Sequence, residues 1–267
     1  KQQPLHLIEY EVRLMQALKD HKIKTAFPIA DTQGNYIQKL GDYYAMFYDF
    51  VVGHEPELIP ETSKQMGIEI GRLSTVPMTP SLAKKNAVHI DNCHKLISEF
   101  EDCQNPLEEV FSYFIEQTAY LSERLDESLP AGIVHGDAFP NNTIFNRKEL
   151  QAIIDFEEAC SDQLMFDVGM TINGFCFVNN QLQKDLLEAF LAGYNAQRKM
   201  TDEEWAALPI YVQWGSHGML SWHLRNDLIN THRQVQYERV LELMKRTQWI
   251  RSNEEQILKL AKGFVNK

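Results

Sequence analysis

Short apolar runs that end in acids, between Ile133 and Ala159, are the feature that most constrains the fold of this chain. The stretch reads IVHGDAFPNNTIFNRKELQAIIDFEEA; its first apolar run leads to Asp137 and its last leads to Asp155. A strand that ends in an acid and then turns holds the carboxylate at the rim of a sheet, open to a ligand. Three consecutive strands, the second beginning at Asn142, should therefore bring both acids and the amide to one edge.

The side chains at this edge have the chemistry of a magnesium-dependent phosphoryl-transfer site. Asp155 and Asn142 offer the hard oxygen ligands that suit Mg²⁺, and Asp137 is left to orient a hydroxyl and accept its proton. Protein kinases carry H-R-D-x-x-x-x-N and a later D-F-G. Here the text is H-G-D-A-F-P-N-N followed by D-F-E. Taken singly, Asp137 is also compatible with a turn and Asp155 with a helix N-cap.

Composition argues against several classes of protein. The formal net charge of −11, with no stripe of Lys and Arg, argues against nucleic acid as a partner. No apolar run approaches the roughly 20 residues that span a bilayer, so we expect no membrane contact. No charged segment followed by an apolar run opens the chain, so we expect no secretory signal. These observations predict a cytoplasmic protein, and the acidic charge suits a cationic or metal-bridged partner or simply a solvating surface.

The cysteines predict no metal site. Cys93, Cys103, Cys160 and Cys176 have neither CxxC spacing nor the Cys/His spacing of zinc sites. We expect reduced thiols. A disulfide between Cys93 and Cys103 is the alternative, and it would require an oxidising compartment.

The periodicity of apolar residues changes along the chain. A helix is predicted from Leu5 to His21, followed by a hairpin of NYIQKL and DYYAMFYDFV that turns at Gly41-Asp42. Helices predominate after Pro60, on both sides of the strand-rich insert at 131–155. They are predicted from Thr62 or Ser63 to Val76 and at 89–103, 106–128, 163–178, 181–198, 202–230, 234–247 and 253–264.

These motifs together resemble the aminoglycoside phosphotransferase and choline kinase superfamily, which has the protein-kinase-like fold. HGDAFPNNTIF and IIDFEEACSDQLMFDVGMTINGFCF are similar to HGDLFPDNVLF, IDFYFACND, YDLA and INDWCF, the pattern of the homoserine kinases built on this fold. The resemblance covers most of the chain in outline and is tight from Val134 to Phe177.

The resemblance implies an α+β, bilobal protein-kinase-like fold. Residues 1–52 would be the remainder of an N-terminal nucleotide-binding β lobe, and 53–267 a mostly helical C-terminal catalytic and acceptor-binding lobe with a small catalytic β insert. The family's glycine-rich loop and lysine strand should precede Glu11, where this chain has only ten residues. We therefore expect an incomplete N-terminal lobe.

The resemblance also implies roles for single residues around the insert. Asp137 would be the catalytic base, and Asn142 and Asp155 would hold Mg²⁺ on the phosphates of ATP. His135 would brace the catalytic loop. Asp167 would be a buried structural acid that bonds back to the same loop.

On the nucleotide side, the resemblance makes Glu11 the partner of the phosphate-binding lysine. The hinge that binds adenine through its backbone would fall at Tyr48, Asp49 and Phe50. A surface charge on an amphipathic helix is an equally good interpretation of Glu11.

On the acceptor side, LSWHLR at 220–225 aligns with the R-F-W-L-S-R-L of the homoserine kinases. The second arginine is kept and the first is replaced by leucine. Arg225 would bind an amino-acid carboxylate bidentately. Trp222 and His223 are candidate pocket residues, although aromatic side chains at such spacing more often belong to a core.

The implied function is an ATP- and Mg²⁺-dependent kinase for a small alcohol, with L-homoserine as the first candidate. Choline, an aminoglycoside or another small alcohol is the alternative acceptor. A non-catalytic relative that binds a nucleotide or a partner protein is the second alternative.

Overall fold

The computed structural model of the protein describes residues 4–100, 108–226 and 237–265. Its helices are α1 (Leu5–Asp20), α2 (Pro60–Leu73), α3 (Ile90–Phe100), α4 (Glu108–Ser122), α5 (Met165–Phe175), α6 (Lys184–Gln197), α7 (Asp202–Leu224), α8 (Tyr237–Ser252) and α9 (Glu254–Val265). Its strands are β1 (Gln38–Leu40), β2 (Tyr43–Ala45), β3 (Ala131–Val134), β4 (Thr143–Asn146), β5 (Glu149–Ile153), β6 (Cys160–Gln163), β7 (Phe177–Val178) and β8 (Gln181–Leu182). Every predicted helix has a counterpart among the described residues. The predicted helix residues 101–103, 106–107, 227–230 and 234–236 lie outside the described residues, and most of the other ends are shifted.

The end of α4 shows why helix ends moved. The helix was predicted to reach residue 128 but stops at Ser122. Beyond it, the backbone N–H and the hydroxyl of Ser128 both donate to the Asp126 carboxylate, at 2.8 and 2.6 Å. An Asp side chain that bonds the backbone two residues on favours a turn over a helix.

The predicted hairpin at Gly41 is present but short. β1 and β2 pair antiparallel, with Leu40 opposite Tyr43. Gly41 has φ of 64°, which glycine adopts without steric cost. The strand predicted to continue to Val51 ends at Ala45, since the residues that follow it up to Val51 form only an isolated bridge, between Tyr48 and Pro28.

Two pairs of helices pack backbone to backbone at glycines. A Cβ atom at Gly67 in α2 would lie 2.0 Å from the Phe190 carbonyl oxygen in α6. A Cβ atom at Gly169 in α5 would lie 2.0 Å from the Tyr211 carbonyl oxygen in α7. Any side chain at either position would push the helices apart. The second contact fixes α5, and with it Asp167, against the longest helix of the described residues.

The prediction of three consecutive strands with a common edge was wrong. β3 pairs antiparallel with β6, which was not predicted, and β4 pairs with β5 in a separate hairpin. Asn142 does not begin a strand, because Pro140–Asn142 forms a single 3-10 turn before Thr143. β6 was missed because its sequence, CSDQ, lacks β-branched and aromatic residues. The two short sheets still place the loops after β3 and β5 side by side.

The described cysteines are buried thiols. Cys93, Cys160 and Cys176 make no disulfide, and burial raises the pKa of each thiol. Cys103, the partner in the alternative pairing, lies outside the described residues. No helix among the described residues has both the length and the apolar character needed to cross a bilayer.

Candidate active site

The loop that follows β3 is held by a buried carboxylate. Asp167, in the first turn of α5, accepts the backbone N–H of His135 at 2.6 Å and that of Gly136 at 2.9 Å. Gly136 has φ of 82°, and a Cβ atom there would lie 2.9 Å from the Glu158 carbonyl oxygen, so only glycine fits. The two hydrogen bonds fit the structural role expected for Asp167.

His135 connects this loop to the end of β5. Its Nδ1 accepts the backbone N–H of Asp137 at 3.2 Å, so Nε2 carries the proton and donates to the Ile154 carbonyl at 3.0 Å. Its ring packs on Phe156, with centroids 4.4 Å apart. Burial lowers the pKa of His135 to about 4, so the ring is neutral. This geometry fits a bracing role and leaves no proton for shuttling.

Asp137 and Asn142 are in direct contact. The Asn142 amide donates to the Asp137 carboxylate at 2.7 Å and to the Asp137 carbonyl at 2.9 Å. Burial is the main cause that raises the pKa of Asp137 to about 6, and the charges of Asp155, Glu158 and Glu157 add to it. Asp137 is therefore an ionised carboxylate at neutral pH, with a pKa suited to a general base.

The fit of a divalent cation rests on Asn142 and Asp155. Because the Asn142 nitrogen faces Asp137, its amide oxygen is directed elsewhere. Asp155 has φ of 64° and ψ of 63°, a left-handed conformation that is uncommon for a residue with a side chain. Among the described residues, no three His, Cys, Asp or Glu side chains cluster as a metal site. A cage of protein ligands is thus not available here, and phosphate oxygens would have to complete the coordination of Mg²⁺.

Asp137 lies in a cavity of about 310 Å³, here called the Asp137 cavity. Its lining also includes Asn142, Asp155, Trp222 and His223, which were predicted site residues. Further lining residues were not predicted and are Asn86, Ala87, Val88, Gly136, Phe139, Asn141, Glu157, Glu158, Met170, Met219 and Arg239.

Some of the unpredicted lining residues could have been found from the motifs, and others could not. Glu157 and Glu158 follow the Asp155-Phe156 pair, at positions where the similar family pattern has Tyr and Phe, and this difference was the available signal. Asn86 and Arg239 belong to no motif, and only the folding of distant segments brings them to the cavity.

A second cavity of about 300 Å³, here called the Glu11 cavity, shares Asp155 with the first. It is lined by Glu11, Met15, Thr25, Ala26, Tyr48, Ile154, Asp155 and Phe156. The structure thus brings Glu11 and Tyr48 together with Asp155. Asp49 and Phe50 are exposed and do not line this cavity; 90% of Phe50 is accessible.

Glu11 has a tyrosine as its neighbour within this cavity. The Tyr48 hydroxyl donates to the Glu11 carboxylate at 2.8 Å. Burial raises the pKa of Glu11, and the charges of Asp155 and Glu157 raise it further. Lys84 acts in the opposite direction: its positive charge lowers the pKa of Glu11, and its ammonium donates to the Glu157 carbonyl at 2.5 Å. Lys84 therefore supplies positive charge close to Glu157 of the Asp137 cavity and to Glu11 of the other cavity, and the motifs gave no sign of it.

Arg225 is not among the residues that line the Asp137 cavity. Its guanidinium donates to both carboxylate oxygens of Glu99, at 3.1 and 2.8 Å, and to the Asn92 carbonyl at 3.2 Å. The role expected for Arg225, binding of an acceptor carboxylate, would require this set of bonds to open.

Comparison with known proteins gives a consistent picture. Residues 1–209 match the model of the phosphotransferase enzyme family. A homoserine kinase of Nitrobacter hamburgensis is 27% identical over 203 residues, and the match covers 75% of this chain and 62% of the relative. A homoserine kinase of Rhizobium etli is 29% identical over 226 residues, covering 78% of this chain and 69% of the relative. The chain thus spans about 62–69% of the length of these relatives.

Solved structures show the same fold. A microcompartment-associated aminopropanol kinase superposes with a TM-score of 0.70 at 17% identity, over 97% of this chain and 83% of its own. An amicoumacin kinase, solved with AMP-PNP and Ca²⁺, gives a TM-score of 0.69 at 14% identity, over 94% of this chain and 79% of its own. The predicted α+β, protein-kinase-like fold is confirmed.

Proposed function

This chain belongs to the phosphotransferase enzyme family, and we propose that it transfers the γ-phosphoryl group of ATP to the hydroxyl of a small alcohol, L-homoserine first. The observation that carries the proposal is the contact between Asn142 and Asp137, 2.7 Å from amide nitrogen to carboxylate oxygen. It holds a carboxylate of raised pKa in a cavity that Asp155 also lines. This is what a hydroxyl-activating site beside phosphates requires.

In this reaction the acceptor hydroxyl donates a hydrogen bond to the Asp137 carboxylate. Its oxygen attacks the γ-phosphorus, the bond from that phosphorus to the bridging oxygen breaks, and the hydroxyl proton passes to Asp137. ADP leaves with the bridging oxygen. Phosphoryl transfer depends mainly on positioning and on charge stabilisation, so the bracing of the loop by His135 and Asp167 matters as much as the base.

Mg²⁺ would be held by the amide oxygen of Asn142 and the carboxylate of Asp155, together with the phosphates. When bound, it supplies the positive charge that offsets charge developing on the phosphate oxygens. Asn142 has a further role of its own, because its nitrogen holds Asp137 in place whatever the oxygen binds.

The nucleotide is assigned to the Glu11 cavity, where Met15, Ile154 and Phe156 offer apolar surface to a base and Asp155 marks the end nearest the acceptor. The division of the chain at residue 52 belongs to the same proposal. Residues 1–52 would supply Glu11 and Tyr48, and residues 53–267 the catalytic loop and the acceptor walls.

L-Homoserine is favoured because the homoserine kinases cited above are the named relatives. Choline, an aminoglycoside or another small alcohol remains the second acceptor class, and the acidic lining of the Asp137 cavity favours a cationic acceptor. A non-catalytic relative is disfavoured by the contact that Asn142 makes with Asp137.

The test is ATP consumption with Mg²⁺ in the presence of L-homoserine, choline, ethanolamine or several aminoglycosides, with Asp137→Ala beside the unchanged protein. Removal of a general base lowers kcat by roughly 10²- to 10⁴-fold. Turnover of L-homoserine that Asp137→Ala removes supports the proposal. Turnover of another member would replace the acceptor, and no turnover together with no ATP binding would favour the non-catalytic alternative.

A further inference from the structure

The Asp137 cavity contains charges of both signs. Its acids are Asp137, Asp155, Glu157 and Glu158, and Arg239 is the only Lys or Arg among the described residues that line it. Glu157 and Glu158 both raise the pKa of Asp137, so their charges lie close to the position of the reacting hydroxyl. A cationic group of an acceptor would be attracted to this acidic wall, and an anionic group would find its partner at Arg239.

We infer that Arg239 determines acceptor specificity by binding a carboxylate of the acceptor, so that the preferred substrates are hydroxy amino acids and not amino alcohols. This inference rests on the proposed kinase function and adds to it a residue that no motif indicated. Arginine suits the role because its planar guanidinium presents two parallel N–H donors to one carboxylate.

The bonds of Arg239 leave it able to take a ligand. Its Nη1 donates to one oxygen of Glu242 at 2.8 Å, and its side chain is 30% exposed. The other oxygen of Glu242 accepts a hydrogen bond from Nη2 of Arg246 at 2.6 Å. Glu242 therefore keeps a cationic partner if Arg239 turns towards a ligand, and the half-exposed pair that opens is of the kind worth about 0–1 kcal/mol.

The neighbourhood of Arg239 also favours an anion. Arg239 and Arg246 share the single carboxylate of Glu242. Burial chiefly, and then the positive charge of Arg239, lower the pKa of Arg246 to about 10. A bound carboxylate would add a second negative charge to the one that these two arginines share among the described residues.

Arg225, the arginine expected from the resemblance to bind the carboxylate, differs in each respect. It does not line the cavity, and its Nη1 already donates to both carboxylate oxygens of Glu99. The two arginines therefore make opposite predictions for one experiment, with Arg225 as the matched control for Arg239.

The experiment compares two acceptors that differ only in the carboxylate, L-homoserine and 3-amino-1-propanol. Binding is measured by calorimetry in the presence of AMP-PNP and Mg²⁺, and kcat/KM by ATP consumption, for the unchanged protein, Arg239→Gln, Arg239→Lys and Arg225→Gln. Loss of a charged hydrogen-bonding partner should weaken homoserine binding and kcat/KM on the order of 10- to 100-fold in Arg239→Gln. The values for aminopropanol should stay unchanged, Arg239→Lys should be intermediate, and Arg225→Gln should keep the ratio between acceptors.

Three results would overturn the inference. The first is an equal loss for both acceptors, or no loss, in Arg239→Gln. The second is a change of the acceptor ratio in Arg225→Gln alone. The third is an unchanged protein that binds homoserine no better than aminopropanol. If homoserine binds through Arg239 but is not phosphorylated, the proposed transfer to homoserine fails while Arg239 remains the carboxylate-binding residue. If homoserine is phosphorylated and Arg239→Gln has no effect, the proposed function stands and the inference fails.

Discussion

The Nε2 atom of His135 and the carbonyl oxygen of Ile154 are 3.0 Å apart, and this hydrogen bond joins the Asp137 loop to the residue before Asp155. The same ring accepts the backbone N–H of Asp137 through Nδ1. One buried, neutral side chain therefore sets the distance between the base and the acid assigned to the metal. A change at His135 should disturb both at once.

His135→Leu should destabilise the protein by roughly 2–4 kcal/mol, because two buried backbone groups lose their partner at about 1–3 kcal/mol each. It should also lower kcat. Urea unfolding measures the first effect. His6→Leu is the control, since His6 is exposed and a surface change should stay within about 0.5 kcal/mol. Equal stability of the two variants would contradict the bracing role.

Asp167→Asn should lower kcat by about tenfold or more and destabilise by about 1–3 kcal/mol. The carboxylate accepts two backbone N–H groups, at His135 and Gly136, and an amide nitrogen in place of one oxygen would face a donor with a donor. Steady-state kinetics and thermal unfolding measure the two effects. Asp91→Asn, at an exposed carboxylate on α3, is the control. If Asp167→Asn changed kcat and stability no more than Asp91→Asn does, the structural role of Asp167 would be contradicted.

The rate should fall in acid as Asp137 is protonated. The reactive form is the carboxylate, and its pKa is raised to about 6, so kcat/KM should be level above that pH and decline about tenfold per unit below it. The charge of Glu158 helps to raise this pKa, so Glu158→Gln should move the midpoint to lower pH. Glu123→Gln, at an exposed carboxylate that lines neither cavity, should leave it in place. A midpoint that moves upward in Glu158→Gln would contradict the assignment of the base.

Asn142→Ala should raise the Mg²⁺ concentration needed for half-maximal rate by at least roughly tenfold, because a ligand oxygen is lost. It should lower kcat as well, since Asp137 loses the amide that holds it. Asn146→Ala, at an exposed position of β4 that lines neither cavity, is the control. A kcat loss with an unchanged Mg²⁺ requirement would show that Asn142 serves Asp137 alone.

Lys84→Met should weaken ATP binding, with Lys84→Arg restoring part of it. The Lys84 ammonium is hydrogen bonded to the Glu157 carbonyl and offsets the charge of Glu11, so its loss leaves Glu11, Asp155 and Glu157 to repel the phosphates. Equilibrium binding of AMP-PNP at several salt concentrations measures the effect, which should diminish as salt screens the charges. Equal ATP affinity in the unchanged protein and Lys84→Met would rule out this charge role.

The part of the site carried by one short segment could be predicted from the sequence. Asp137, Asn142 and Asp155 lie within a single strand-and-turn insert, so their order and spacing carry the geometry even though the strands pair differently from the prediction. The local sequence determines where Asp137 and Asp155 lie, because each acid follows an apolar run.

The remaining parts depend on contacts between distant segments. Arg239 and Asn86 reach the Asp137 cavity from separate parts of the chain, and no spacing along the sequence encodes that meeting. The bond from Arg225 to Glu99 spans more than a hundred positions, so a motif could identify the arginine but not its partner. The strand β6 was missed for a related reason. It is a strand because it pairs with β3, and its own composition gives no sign of this.

Asp155 belongs to the lining of both cavities, so the affinity of each cavity for its ligand depends on the other. A single carboxylate that serves both sites makes their affinities interdependent, and thermodynamic linkage requires the effect to be the same in each direction. If the bound nucleotide and its cation change the dissociation constant of the acceptor by some factor, the bound acceptor changes that of the nucleotide by the same factor. The two substrates should therefore bind interdependently, and neither dissociation constant describes the protein unless the occupancy of the other cavity is given.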